Sequence, residues 1–268
     1  MTPPRLLLAP FLLLLCFAIL LPALSSPSGS PSGSPSSSLS RFDIHGWRWH
    51  SLSLRRDCLR LASLASLHEA DPSRCSLGEL REAAEFVDGF NHGGLRDVEE
   101  HLFFPWLEAH AFSGRYPSEP ADAARAREAL AELKKRKAAL AALSEQLPSS
   151  PPPAMRALSL SMSSSLSSIL SLQDSSLVPF IADTVPLKEQ SAFASRVVRR
   201  LGVLAARAHL VGMRDAAHGH PGGEEGRLFE ERIPGIARKM IPGWRRGMYK
   251  KRAGRLEDVR AEEPGGAA

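Results

Sequence analysis

Phe90-Asn91-His92-Gly93-Gly94-Leu95-Arg96-Asp97-Val98-Glu99-Glu100-His101-Leu102-Phe103-Phe104-Pro105-Trp106-Leu107 is the stretch whose reading decides the fold. At about 100° per residue, Leu95, Glu99, Leu102 and Trp106 share one helical stripe, with His92, Val98 and Phe103 on its flanks. Glu100 and His101 point away from it. The stripe therefore carries a carboxylate where a helix should be apolar. A buried carboxylate needs a cation, a metal or a set of hydrogen-bond donors.

Working outward, the rest of the chain reads as helix. Leu, Ala, Arg and Glu are abundant, Tyr occurs twice in 268 residues, and no alternating β-branched run appears. An all-α domain follows. Six helical stretches are expected: about 46–67, 77–111 with a kink at Gly93-Gly94, 120–147, 154–182, 186–217, and 224–251 interrupted by Pro234 and Pro242. In the third, Ala126, Leu130, Leu133, Leu140 and Leu147 form an apolar stripe. Its Lys134-Lys135-Arg136-Lys137 run is expected on a solvated face.

The ends read differently. Arg5 precedes an apolar run from Leu6 to Leu24, and Ala23-Leu24-Ser25 offers small residues for cleavage. Residues 1–25 are expected to be a secretory signal peptide or, if uncleaved, a signal anchor, so the product is secreted or membrane-anchored. A plastid address that begins with such a segment is the open alternative. Residues 26–40 are a Ser/Pro/Gly linker, 41–252 the helical domain, and 253–268, rich in Gly, Ala and Glu, a disordered tail. Cys58 and Cys75 remain after the leader. Free buried thiols are favoured over a disulfide, and with no CxxC pair a zinc finger has no support. Elbow, phosphate-loop and dinucleotide motifs are missing as well, and no catalysis is expected.

Several inward-facing groups could hold a metal. His50 lies on a stripe with Trp47, Leu54, Asp57, Leu61 and Leu64, so His50 and Asp57 both point inward. His209 lies on a stripe with Val198, Gly202, Ala205 and Met213. With Glu99, the two histidines would supply two imidazoles and one carboxylate from three helices, a set suited to one iron, manganese or zinc ion. The competing reading needs no metal: buried His50–Asp57 or His209–Glu99 pairs would satisfy the same groups. Asp57, His92 and Gln173 are weaker candidates.

The central stretch resembles the hemerythrin-like (HHE cation-binding) family, whose second helix reads roughly His-His-x-x-Glu-Glu-x-x-x-Phe-Pro. Asp97-Val98-Glu99-Glu100 and Phe104-Pro105 match in order and spacing. Gly46-Trp47-Arg48-Trp49-His50 with Leu54-Arg55-Arg56-Asp57 looks like the family's first helix, which opens with a metal-binding histidine. Val178-Pro179-Phe180-Ile181, Glu189-Gln190 and Ala208-His209-Leu210-Val211-Gly212-Met213 look like its later helices. The resemblance spans roughly residues 46–246, and the Ile-Pro…Met-Ile-Pro-x-Trp stretch is similar to plant and algal hemerythrin-like proteins. It implies an up-and-down four-helix bundle carrying an extra long helix and a basic C-terminal helix. It also implies cation binding, non-haem iron or oxygen and redox chemistry included.

The departures from the family are specific. Leu95 and Arg96 occupy the paired histidine positions, no histidine occurs between His110 and His209, and Met213 stands where the family often has a carboxylate. The expected site is therefore reduced or vestigial, holding one metal ion or none. The alternatives are a metal-free helical interaction module or a peripheral membrane-surface protein. In the last case, residues 227–252 would meet an anionic membrane or an acidic protein through basic residues interleaved with Phe229, Trp244 and Tyr249. Docking of those apolar residues on the bundle is favoured over that surface, and no nucleic-acid partner is expected.

Overall fold

The computed structural model describes residues 41–260; the expected leader and linker, and residues 261–268 of the tail, lie outside them. The described residues form eight helices and no strand, as the composition implies. They are α1 (His45–Ala70), α2 (77–110), α3 (Pro120–Ser144), α4 (152–184), α5 (Leu187–Leu201), α6 (Val203–Gly219), α7 (Glu224–Arg232) and α8 (235–253). None of the described helices is long and apolar enough to cross a membrane.

The first helix lies at the centre. It buries Trp47, Trp49, Leu54, Leu61 and Leu64 around most of its circumference, at about 1.5–3 kcal/mol of stabilisation for each large side chain. On one side lies α4, on another α6. Small serines let α4 approach closely: Ser159 is buried and returns its hydroxyl to the Met155 carbonyl at 2.7 Å. The extra helix α3 packs on α4 through Leu130, Leu133 and Leu140, the expected stripe.

The second and fourth helices widen where prolines follow. Proline has no N–H for the carbonyl four residues back, and its ring crowds that turn. Pro105 follows a π-helical segment, Glu99–Phe103, in which the Phe104 N–H reaches the Glu99 carbonyl five residues back. Pro179 follows Gln173–Leu177, where the Val178 N–H reaches Gln173 in the same way. A further π segment spans Phe86–His92. The glycine pair where a kink is expected is itself helical, with a widened turn on either side of its segment.

Three boundaries differ from expectation. The stretch 186–217 is two helices, because Gly202 adopts φ 75° and ψ 154° between α5 and α6. The last stretch breaks at Pro234 but continues through Pro242. A 3₁₀ turn, Gly254–Asp258, buries Leu256, so the packed chain reaches beyond residue 252. The backbone region held by Gly202 is almost closed to residues with a Cβ. Gly202→Ala is expected to lower unfolding stability by about 1–3 kcal/mol in urea titration, whereas an unchanged midpoint would show that this joint is free to straighten.

Candidate functional site

Glu99 begins the widened turn of α2 and is 2% exposed. Its Oε1 accepts a hydrogen bond from Trp47 Nε1 of α1 at 2.7 Å. The Lys137 ammonium, from α3, lies 2.7 Å from the same oxygen. The cation that a buried carboxylate requires is thus a lysine of this chain. This corrects the reading of Lys137 as part of a solvated face: its side chain is 10% exposed. A surface cleft of about 350 Å³, bordered by His92, Arg96, Glu100, Phe104 and Lys134, reaches the pair.

His50 and His209 do come together, with ring centroids 4.4 Å apart. Phe90 stacks on the other face of His209 at 4.1 Å and 4°. The Arg252 guanidinium caps Phe90 at 4.9 Å. Gly94 makes room for this stack, since a Cβ there would lie 2.6 Å from His209 Nε2. The His50 Nε2–H donates to the Asn91 carbonyl at 3.1 Å, which leaves Nδ1 with the lone pair.

Of the weaker candidates, Asp57 is engaged within the protein. Asp57 accepts from Arg56 at 2.6 and 2.8 Å and from the Asn91 amide at 2.7 Å. Arg56 also donates to Tyr249 Oη at 2.9 Å, which anchors α8 to α1. Burial lowers the Arg56 pKa, but Asp57 and its other acidic neighbours outweigh that and hold it fully charged. His92 is buried, and its Nδ1 lies 4.0 Å from Asp88 Oδ1. Gln173 begins the widened turn of α4; it is wholly buried and neither amide atom has a hydrogen-bond partner.

Of the three expected ligands, His50 and His209 are adjacent, whereas Glu99 is held by Trp47 and Lys137. Among the described residues no three His, Cys, Asp or Glu side chains group as metal ligands. An ammonium 2.7 Å from Glu99 Oε1 would repel a metal ion bound to that oxygen. Sequence reasoning missed Lys137: Arg136 and Lys137 both flank the buried Leu133 and Leu140 at helical spacing, and nothing in the sequence says which of them turns inward.

The C-terminal aromatic residues point inward. Phe229, Trp244 and Tyr249 are buried, Ile233 and Met240 pack on the core, and Ile236 is exposed. Many of the nearby arginines are paired. Arg245 meets Asp215 and Glu257, Arg238 meets Glu230 at 3.3 Å, and Arg227 meets Glu231 at 2.6 Å. Cys58 and Cys75 are free and buried. Burial pushes the Cys58 thiol well above its ordinary range, with Asp57 adding to the effect, which makes it a poor nucleophile.

Four buried histidines are held neutral. Burial, with Arg232 and Arg48, brings the His45 pKa to about 3; burial, with Lys137, brings His50 to about 3 and His92 to about 4. Burial and His50 also hold His209 well below the ordinary value. The unfolded chain, with histidines near 6.5, binds more protons than the folded one below that pH, so the contribution is complete above about 6.5 and is lost on descent toward 4 and 3. Urea stability is expected to fall from pH 7 to pH 5, with a slope approaching about 1.4 kcal/mol per pH unit for each histidine. A flat profile over that range would show that these rings reach water. The chain matches no family model, no curated protein and no solved structure.

Proposed function

We propose that this chain is a divergent hemerythrin-like helical bundle in which a lysine takes the place of the family's metal cation. It acts as a non-catalytic binding module, exported by its N-terminal apolar segment. The observation that carries this reading is the contact of Glu99 with both Lys137 and Trp47. Glu99 is the carboxylate of the family-like motif, and its charge is neutralised within the protein. The lack of any histidine between His110 and His209 and the presence of Leu95 in place of a histidine agree with a site that no longer needs metal.

A second reading keeps one iron, manganese or zinc ion on the His50–His209 pair. The favouring observation is that both imidazoles are neutral and adjacent. His50 also donates its Nε2–H to a backbone carbonyl, as metal-bound histidines usually do with their second nitrogen. Elemental analysis of the chain, purified without a histidine tag, separates the two. The first reading expects iron, manganese and zinc each below about one-tenth of the protein, a margin that allows for adventitious binding. Stoichiometric metal that disappears in both His50→Ala and His209→Ala would overturn it and establish the second.

A further inference from the structure

The corner where α5 meets α6 collects cations that find no carboxylate. From Gln190 to Arg214 the chain holds five arginines and no Asp or Glu, and residues 235–253, all of α8, hold seven basic residues and no acid. Part of this charge is used within the protein. Arg200 pairs with Asp97 at 2.6 Å, Arg214 and Arg238 pair with Glu230 at 3.1 and 3.3 Å, and Arg245 pairs with Asp215 and Glu257. Lys250 reaches Asp258 at 3.6 Å. Arg196, Arg199, Lys251 and Arg252 are exposed, and among the described residues none of the four forms an ion pair.

Packing brings these residues to one place. α5 turns Gln190 and Phe193 inward, which leaves Arg196 and Arg199 on its outer face. Arg207, in the second turn of α6, lies over the Trp244 ring of α8 at 5.3 Å. Arg252 lies over Phe90, and Phe90 stacks on His209, about 7.5 Å along α6 from Leu204. The end of α8 therefore sits beside the first turns of α6. Gly202 breaks the chain between α5 and α6 at φ 75°. Just past it Leu204 is 57% exposed, the most of any large apolar side chain among the described residues.

The chemistry of the corner selects its partner. Cations without carboxylates attract anionic groups. A single exposed leucine is too little apolar area for the core of a protein interface. It does suit a bilayer, which accepts a shallow apolar anchor with anionic headgroups around it. We propose that the α5–α6 corner docks on an anionic lipid surface, with Arg196, Arg199, Lys251 and Arg252 on the headgroups and Leu204 at the acyl boundary. This face is distinct from Phe229, Trp244 and Tyr249, which are buried. The proposal deepens the reading of the chain as a binding module by naming its partner, and it does not rest on the Glu99–Lys137 contact.

The test is co-sedimentation of the full chain with phosphatidylcholine vesicles, with and without about 30% phosphatidylglycerol. Binding to the neutral vesicles measures the contribution of the apolar N-terminal run, and the excess on anionic vesicles is the quantity of interest. That excess is expected to vanish at about 0.5 M salt. Arg196→Gln with Arg199→Gln should reduce it by about fivefold for each charge removed. Leu204→Ser should reduce it by about tenfold while leaving binding to soluble polyglutamate unchanged. Lys135→Gln with Arg156→Gln removes the same charge from α3 and α4 and should leave the excess in place. Equal binding to both vesicles, equal losses in the two double variants, or tighter binding to polyglutamate than to anionic vesicles would overturn the proposal, the last in favour of an acidic protein. Metal content measured on the same sample keeps the two claims separate. A metal-free chain that ignores anionic vesicles removes this inference and leaves the metal-free reading, whereas a metal-loaded chain that binds them does the reverse.

Discussion

One carboxylate and one ammonium, brought together from different helices, constrain the centre of this molecule. Glu99 enters the core from α2, Lys137 reaches it from α3, and Trp47 donates to it from α1. Removing water from a lone carboxylate costs several kcal/mol, and a close ion pair with a further donor offsets that cost. The arrangement also explains why α3 lies where it does. Its leucines bind it to α4, but only one register places Lys137 against Glu99. Pro105 contributes indirectly, since the widened turn it requires begins at Glu99.

On the same faces of α1 and α6 the histidines make a different kind of core. His50, His209 and Phe90 stack as rings, and the stack ends at Arg252. Burial holds both imidazoles neutral, a state that serves packing, metal binding or hydrogen bonding to a ligand equally well. The surroundings decide among these uses. Glu99 is occupied by a cation of the chain itself, and Asp57 belongs to the arginine network that ties α8 to α1. The histidines are therefore left without a carboxylate partner, beside an apolar cavity that His50 also lines.

Much of this could be read from residue spacing. Helical periodicity placed His50, Asp57, Glu99 and His209 inward, and all four are buried. The demand that a buried carboxylate makes for a cation was legible too, but the cation's identity was not, because the basic run of α3 was read as one solvated face. Arg136 and Lys137 flank the Leu133–Leu140 stripe symmetrically, so spacing alone does not single out Lys137. Gly202 was read as a small neighbour of His209 within one helix; a glycine in a helical pattern does not announce that its backbone has left the helix. The pairing of Asp57 with Arg56 was hidden because adjacent residues on a helix do not ordinarily face each other.

The central claim is that Glu99 and Lys137 neutralise one another in the core, and a double-mutant cycle measures this most directly. Urea unfolding of the parent chain, Glu99→Gln, Lys137→Met and the double variant yields the coupling energy between the two side chains. The account expects each single change to be costly, the double variant to recover part of the loss, and a coupling of about 2–3 kcal/mol. Additive effects, with coupling below about 0.5 kcal/mol, would mean that the two charges do not depend on each other and would contradict the account.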